Sequence, residues 1–329
     1  MSIENRYLKI GFVCSCLNEA ENVWPLYKQC VDAYEAFKNQ QRNPHRFAFS
    51  LTIADNASTD HTAKVLAEIA NQDERVKVLL NARNYGPEIS GVNALANTQS
   101  DIYVLIASDL EDPPELVAEM LNMLVLAEEK YDGIVAIKSN TDEWALMRAA
   151  RHIYYSLLDA GSRNKTIPNG FHGFGCYKQL AMKDAIRAWR NNPQGFRTAL
   201  YNSLVQPIHI NYKKPKRRYG TSSYGLWGYV SFAAETILSG DALNSRFMTS
   251  LGATSLLASL LLGITLLIRV VSGQSGYTAG TPTIMLLVLL SLGVQSLMLA
   301  MLSFQIENQR MTYKRPRVRA QVLQKTIKQ

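Results

Sequence analysis

The sequence is poor in cysteine, with four in 329 residues and no C-x-x-C pair. This scarcity excludes a disulfide-stapled fold and the usual zinc-ribbon spacing, and it favours reduced core thiols in a cytosolic domain. The N-terminal residues lack a basic segment followed by a long apolar core, so we expect no signal peptide. No G-x-G-x-x-G motif follows the first apolar run, which argues against a nicotinamide or flavin enzyme.

Charge is also modest in this sequence. The 35 Lys and Arg residues exceed the 27 Asp and Glu residues enough for a net charge of +8. This balance is too weak to indicate a nucleic-acid partner, and we expect none. Because 47% of the residues are hydrophobic and 19% are charged, the chain is expected to fold rather than to be disordered.

The first two thirds of the chain alternate short apolar runs with helical patterns. Runs of apolar residues, rather than apolar and polar residues in alternation, indicate parallel strands buried on both faces. We therefore predict an α/β domain with a mostly parallel, Rossmann-like sheet. The predicted strands are Ile10–Cys14, Phe47–Ile53, Val76–Leu80, Ile102–Ile106 and Gly133–Ile137, with helices at Glu21–Phe37, His61–Asn71, Ile89–Thr98 and Pro114–Ala127.

Two long apolar runs occur only in the last third. Phe247–Ile268 and Thr283–Phe304 contain no charged residue. About 20 such residues cross the hydrocarbon core of a bilayer, so we predict two transmembrane helices at about 247–269 and 283–304. Lys and Arg flank the pair on both outer sides, whereas the connection Val270–Pro282, which follows Arg269 at the end of the first run, carries no charge. The positive-inside rule then predicts a multi-pass protein of the cell (inner) membrane, with the N-terminal domain and the C-terminus in the cytoplasm.

These patterns divide the chain into four parts: an α/β domain over 1–223, interfacial helices over 224–245, a transmembrane hairpin over 246–305 and a basic tail over 306–329. The segment Tyr224–Ser239 places apolar residues at helical spacing, with Trp227 among them. An interfacial helix in the headgroup layer and an ordinary core-facing helix fit this pattern equally well. Its position between a basic run and the first apolar run favours the interfacial interpretation.

Polar clusters follow the first, second and fourth predicted strands, at the edge where α/β sheets bind ligands. Each cluster also has a simpler interpretation as a helix cap or turn: Asn18 with Glu21, Asp112 before Pro113, and Asn56 with Ser58 and Asp60. Three acidic clusters at one edge repel one another unless a cation is present, and so they imply a divalent metal.

Five motifs, in order, resemble those of inverting family-2 glycosyltransferases with a GT-A type domain. Together with the two apolar runs, they are similar to the polyprenyl-phosphate sugar transferases, such as dolichyl-phosphate mannose synthase and undecaprenyl-phosphate glucosyltransferases. The motifs are Val13–Asn22 (VCSCLNEAEN), Ile53–Thr62 (IADNASTDHT), Arg83–Gly86 (RNYG), Ser108–Glu115 (SDLEDPPE) and Arg217–Tyr224 (RRYGTSSY).

The resemblance implies transfer of one sugar from a UDP- or GDP-sugar to a membrane polyprenyl phosphate. Asp109 and Glu111 would hold Mg²⁺ or Mn²⁺ on the donor diphosphate and, with Arg217, form the catalytic set. The implied donor-binding residues are Glu19, Asp55, Asn56, Arg83, Ser108 and Asp109, and the implied acceptor-phosphate residues are Lys216, Arg217, Arg218 and Ser222. A homo-oligomer is left open.

The sequence departs from the family pattern in ways that bear on these roles. Ala107 replaces the first metal-site Asp, while Glu111 adds a carboxylate in place of the usual Gln, so we expect a metal site of altered selectivity. Cys14, Asn56 and Ser223 replace the usual Pro, Asp and Lys. In the acceptor stretch, Asn169–Tyr177, an acidic G-D-F-R run is missing, and His172 has either a polar role there or a satisfied structural one.

Three other functions remain open. A processive polysaccharide synthase is disfavoured because there is no Q-x-x-R-W run and there are only two apolar spans. A degenerate, non-catalytic family member is suggested by Ala107. A glycosyltransferase acting on another lipid-linked acceptor is the third.

Overall fold

The computed structural model describes residues 7–127, 130–139, 167–168, 170–191, 195–213, 241–272, 280–312 and 318–324. In the two C-terminal helices it describes only part of the side chains. The chain separates into two units. One comprises 1–144, 167–223 and 315–329, and the other comprises 145–166 and 224–314.

The first unit is an α/β domain built on one eight-stranded sheet. Its elements are β1 (Leu8–Cys16), α1 (Val23–Asn39), β2 (Phe47–Asp55), α2 (Thr62–Gln72), β3 (Val76–Asn81), α3 (Pro87–Ala96), β4 (Ile102–Leu105), α4 (Glu115–Leu126), β5 (Gly133–Ser139), β6 (Phe171–Lys178), α5 (Gln179–Asn191), α6 (Phe196–Ser203), β7 (Pro207–Lys213) and β8 (Ala320–Leu323). A single 3-10 turn, Pro44–Arg46, precedes β2.

The strand order is β7-β5-β6-β4-β1-β2-β3-β8. The first four strands are parallel neighbours, and β7 runs parallel to β5. Two strands run the other way: β6 lies between β4 and β5, and β8 pairs with β3. The predicted mostly parallel α/β sheet is thus confirmed, and the strands β6, β7 and β8 are additions that the apolar runs did not predict.

Both faces of the sheet are covered, which explains why the central strands are apolar throughout. Ile10 and Phe12 of β1 join a core on one face with Leu26 of α1, while Val13 joins a second core on the opposite face with Leu95 of α3. A strand buried on both sides cannot alternate apolar with polar residues. The four cysteines are free and buried, as predicted.

The second unit contains two long helices, α7 (Asp241–Val271) and α8 (Thr281–Thr312). Small residues line their contact: a Cβ added at Gly252 would lie 2.9 Å from Leu297, and one at Gly293 would lie 2.8 Å from Leu256. Large apolar side chains of both helices are instead exposed. They include Leu257, Leu260, Leu261, Ile264, Leu287, Val288, Met298 and Met301. Within the described residues, no helix has the combined length and apolarity needed to traverse a bilayer.

Candidate active site at the carboxyl edge of the sheet

The loops after β1 and β2 interlock through their backbones and short polar side chains. The Asn56 amide donates to the Cys16 carbonyl at 2.9 Å, and the Asn18 amide donates to Ser58 Oγ at 2.9 Å. Asn18 Oδ1 in turn accepts the Thr59 amide at 2.8 Å. The two polar clusters that the sequence placed at this edge are therefore one connected structure.

One residue in each of three loops adopts the left-handed backbone region without being glycine. Asn18, Ala57 and Leu110 have φ of 55°, 62° and 58° and follow β1, β2 and β4 respectively. Such a conformation costs about 1–3 kcal/mol and persists only where its surroundings enforce it. Strain of this kind is concentrated at functional sites, which marks this edge of the sheet as the candidate site.

The helix-cap interpretations of Asn18 and Asp112 are wrong. Helix α1 begins after Asn22 and α4 begins after Pro114, and neither start has a side-chain cap. The carboxylate of Asp60 does serve a helix start, because it accepts the Thr62 amide at 2.9 Å. Burial acts to raise the pKa of Asp60, but hydrogen bonds from Thr62 and Ala20 outweigh it and lower the pKa below its ordinary value.

Asp55 and Glu19 lie at this edge, at the ends of β2 and β1. Asp55 is buried and accepts hydrogen bonds from the hydroxyl and the amide of Ser58, the latter at 3.3 Å. Glu19 accepts a hydrogen bond from Asn22 Nδ2, and its amide donates to Thr62 Oγ1 at 2.9 Å. Both carboxylates thus sit in an ordered hydrogen-bonded frame.

Asn56 joins the loop after β2 to the loop after β3. Its Nδ2 donates to Asn84 Oδ1 at 2.8 Å, and its Oδ1 accepts the Tyr85 amide at 2.9 Å. Asn84 Oδ1 also accepts the Gly86 amide at 2.8 Å. This junction, in which Asn56 is buried and Asn84 is exposed, is a structural role for Asn56, and Asn84 is a participant that sequence reasoning missed.

Arg83 lies on the same loop as Asn84. Its guanidinium carbon lies 4.8 Å from the centre of the Tyr85 ring. The loop is also held by the C-terminal strand region, since the Ala82 amide donates to the Arg319 carbonyl at 2.8 Å and the Arg319 amide donates to Tyr85 Oη at 3.3 Å. Only the R-N-x-G motif gave a sequence signal for this loop, and nothing in it indicated Arg319.

The loop after β4 carries the predicted metal ligands in one tight turn. Asp109 Oδ1 accepts the Glu111 amide at 3.1 Å, and Leu110 between them is the left-handed residue. Ser108, the preceding donor-site candidate, is buried. Asp109 and Glu111 are both half-buried, so both residues are partly exposed at the surface of the turn.

Asp112 points away from this surface into the protein. Its Oδ2 accepts the Ala107 amide at 2.9 Å, and its Oδ1 lies 2.7 Å from His172 Nε2 and accepts the Tyr212 hydroxyl at 3.0 Å. Burial, and then the carboxylates of Asp112 and Asp109, raise the pKa of Tyr212 far above its ordinary value. The interpretation of His172 as a satisfied structural group is therefore confirmed: Nδ1 lies 3.3 Å from the Gly170 carbonyl and Nε2 meets Asp112.

The three acidic clusters do not converge on one point. Among the described residues, no group of three His, Cys, Asp or Glu side chains is arranged to hold a metal ion. Asp109 and Glu111 share one turn, and Mg²⁺ commonly binds through one or two carboxylates together with substrate phosphates. This donor set fits a hard divalent cation that is completed by a diphosphate. Lys216, Arg217, Arg218 and Ser222, and the predicted interfacial helix up to residue 240, lie outside the described residues.

The family model described as "Glycosyl transferase family 2" matches residues 13–186. This span is more than half of the 329 residues and contains the loops after β1, β2 and β4. The chain belongs to glycosyl transferase family 2. It is therefore a glycosyltransferase, and the resemblance drawn from the five motifs is confirmed.

Relatives of this family-2 chain match over most of its length. The undecaprenyl-phosphate 4-deoxy-4-formamido-L-arabinose transferase of Proteus mirabilis (strain HI4320) is 23% identical over 308 residues, which cover 92% of this chain and 89% of that protein. The protein of the same name from Edwardsiella ictaluri (strain 93-146) is 23% identical over 292 residues, covering 87% and 85%.

A solved structure that matches is glucosyl-3-phosphoglycerate synthase from Mycobacterium tuberculosis in complex with Mn²⁺, UDP-glucose and glycerol 3-phosphate. It has a TM-score of 0.45 and 16% identity, and the match covers 71% of this chain and 79% of that one.

Proposed function

We propose that this glycosyltransferase transfers a single sugar from a nucleotide-sugar donor to a membrane polyprenyl phosphate, with inversion at the anomeric carbon. The observation that carries the proposal is the strained, interlocked edge of the sheet, where Asp109 and Glu111 share one turn beside the loops of β1 and β2. The names of the Proteus and Edwardsiella relatives, which match over most of their length, support undecaprenyl phosphate as the type of acceptor.

On the donor side, Glu19, Asp55 and Arg83 are the proposed contacts of the nucleotide. The hydrogen bonds from Ser58 and Asn22 orient the two carboxylates in advance, which lowers the entropy lost when the donor binds. Asn56 acts here by holding the loop that carries Arg83. Ser108, near the start of the turn that carries Asp109 and Glu111, is the remaining proposed contact of the donor.

Asp109 and Glu111 would hold Mg²⁺ or Mn²⁺, which when bound neutralises charge on the leaving diphosphate. Cleavage of the sugar–phosphate bond leaves a nucleoside diphosphate, so the protein's task is to stabilise negative charge rather than to donate a proton. Arg217 is the proposed cationic side chain for this step. Ala107 makes the metal's selectivity differ from that of the family pattern.

On the acceptor side, a lipid phosphate is already anionic near neutral pH. One of its oxygens attacks the anomeric carbon, the bond from that carbon to the donor phosphate breaks, and no proton transfer is needed. Holding the two partners in line supplies much of the rate. Lys216, Arg217, Arg218 and Ser222 are the proposed phosphate contacts, and each cation near an anionic surface contributes about 1 kcal/mol of attraction.

We further propose that α7 and α8 form a membrane hairpin within the 246–305 region and that the segment 224–245, whose last five residues begin α7, is interfacial. The burial pattern supports this, since Ser255, Ser259 and Ser296 are buried while large apolar side chains face outward. That arrangement is the reverse of a water-soluble helix pair and suits an apolar solvent.

The C-terminal strand supports the predicted orientation of this hairpin. Because β7 precedes the helices, β8 follows them and both belong to one sheet, the proposed hairpin would return the chain to the side of the membrane from which it entered. The catalytic domain 1–223 and the tail 306–329 then share the cytoplasmic side of the inner membrane.

A donor screen tests the proposed reaction. The full chain in detergent is incubated with undecaprenyl phosphate, Mg²⁺ or Mn²⁺ and each of a panel of labelled UDP- and GDP-sugars, and label is measured in the organic phase. We expect one donor to give acceptor-dependent label. The alternative of a degenerate, non-catalytic member is favoured by Ala107 alone, and metal-dependent donor binding without transfer for any donor would support it.

A further inference from the structure

We infer that Asp112, His172 and Tyr212 form a support that positions the metal-site turn Ala107–Glu111. The inference rests on the proposed function, because it concerns the direction in which Asp109 and Glu111 present their carboxylates. None of the three supporting side chains belongs to the donor, acceptor or metal sets described above.

The turn is closed from inside by Asp112. Its Oδ2 accepts the Ala107 amide at 2.9 Å, so the first residue of the turn is joined to the residue that directly follows the turn. Between them Leu110 is held at a φ of 58°, and the Glu111 amide is fixed by Asp109 Oδ1 at 3.1 Å. A backbone this tightly linked moves as one piece, so a shift of Asp112 changes where both metal-site carboxylates point.

Asp112 is itself held from two other strands of the sheet, β7 and the immediate neighbour of β4, β6. Its side chain is 3% exposed, and a buried carboxylate is costly unless donors surround it. His172 of β6 and Tyr212 of β7 supply two of those donors, at 2.7 and 3.0 Å, and lie 3.2 Å from each other. Removal of either donor leaves Asp112 to find a new partner, and the turn moves with it.

His172 acts through Asp112 rather than on the substrate. Both of its ring nitrogens are engaged, one at Asp112 and the other near the Gly170 carbonyl. It is thus a positioning residue, and so is Tyr212. Outer partners that orient ligating carboxylates typically contribute about 10- to 100-fold to metal affinity.

Mn²⁺ binding gives the test a readout that is separate from turnover. The full chain is titrated with Mn²⁺ in the presence of UDP, and in parallel with GDP, and unbound Mn²⁺ is measured by its electron paramagnetic resonance signal. We expect Tyr212→Phe and His172→Ala to weaken Mn²⁺ binding by about 10- to 100-fold. His172→Gln keeps a donor for Asp112 and is expected to restore most of the affinity.

Tyr201→Phe is the matched control. Tyr201 is buried like Tyr212, and its hydroxyl also lies 3.2 Å from a histidine Nε2, that of His209. It contacts neither Asp112 nor the turn in the hydrogen bonds described, so its loss is expected to leave Mn²⁺ affinity unchanged. Thermal unfolding of each variant identifies those that fold, and the conservative Tyr212→Phe carries the test if His172→Ala does not.

Two results would overturn the inference and can be told apart. If the unaltered chain binds Mn²⁺ and Tyr212→Phe binds it equally well, the support has no positioning role while the proposed function stands. If the unaltered chain binds no Mn²⁺ with either nucleotide, the metal part of the proposed function fails as well.

Discussion

Replacing the buried Asn56 by aspartate exchanges one NH₂ group for an oxygen at the junction between the loops after β2 and β3. Asn56 Nδ2 now donates to Asn84 Oδ1 at 2.8 Å, so the new oxygen would face another acceptor. Asn84 cannot simply turn its amide over, because its Oδ1 also accepts the Gly86 amide. The change therefore converts a hydrogen bond into a repulsive contact.

The size of the effect follows from those contacts. The lost hydrogen bond contributes about 1 kcal/mol, and a buried acceptor left without a donor costs about 1–3 kcal/mol more. We expect Asn56→Asp to lower the free energy of unfolding by about 2–4 kcal/mol. For a domain of this size that corresponds to a fall in Tm of roughly 5–15 °C.

Thermal unfolding of the full chain in detergent, followed by circular dichroism at pH 8, measures this loss. Asn97→Asp is the matched control, since it makes the same chemical change at an exposed amide and is expected to cost less than about 1 kcal/mol. Equal melting temperatures for the two variants would refute the junction as described.

The stability lost in Asn56→Asp is expected to increase with pH. Burial, together with the loss of a donor at one of its two oxygens, raises the folded-state pKa of the new carboxyl above its unfolded value of about 3.9. Stability is then lost as the pH rises through the folded-state pKa, because ionisation is easier in the unfolded chain. At lower pH the protonated carboxyl can donate to Asn84, so Asn56→Asp should approach the unaltered protein only as the pH falls to about 4, the unfolded-state value.

Three further predictions concern the metal turn, the thiols and the C-terminal strand. Asp109→Ala should abolish turnover while folding and membrane insertion persist. Retained transfer activity would contradict the proposal that Asp109 holds the metal ion. Burial, and then the charge of Glu19, raise the pKa of Cys14 to about 12, so its thiolate fraction at pH 8 is roughly one in ten thousand. Ellman's reagent should then detect none of the four thiols until denaturant is added, and rapid labelling of the native protein would contradict their burial. Deleting residues 318–329 removes Arg319 and β8 and should raise the donor KM by up to about tenfold. Deleting only 325–329 should leave the donor KM unchanged. Equal KM values for the two deletions would show that β8 does not support the loop after β3.

Local signals predicted the first half of the sheet well. The predicted run Phe47–Ile53 lies within β2, and Val76–Leu80 lies within β3, because apolar runs mark strands buried on both faces. The same signal missed β8. Its residues, Ala320–Leu323, follow a basic stretch, and they form a strand only because β3 offers a free edge some 240 residues earlier in the chain.

In the candidate site, too, the sequence predicts some features and not others. The positions of motif residues such as Asp55 and Asp109 could be predicted, because Asp55 ends β2 and Asp109 lies in the loop after β4, at one edge of the sheet. The partner of each polar side chain could not be, since Asn56 meets a loop 28 residues away and Asp112 meets a histidine 60 residues away. A capping motif and a long-range hydrogen bond use the same short polar residues, so only the tertiary fold decides between them.

The product formed by the full chain tests the central claim most directly. Once a donor has been found, the organic-phase product is isolated and examined by mass spectrometry and by NMR of its anomeric proton. The account predicts one sugar for each undecaprenyl phosphate, joined through the phosphate, with the anomeric configuration opposite to that of the donor. A product that retains the donor's configuration, that carries several sugars or that forms without the lipid phosphate would contradict it.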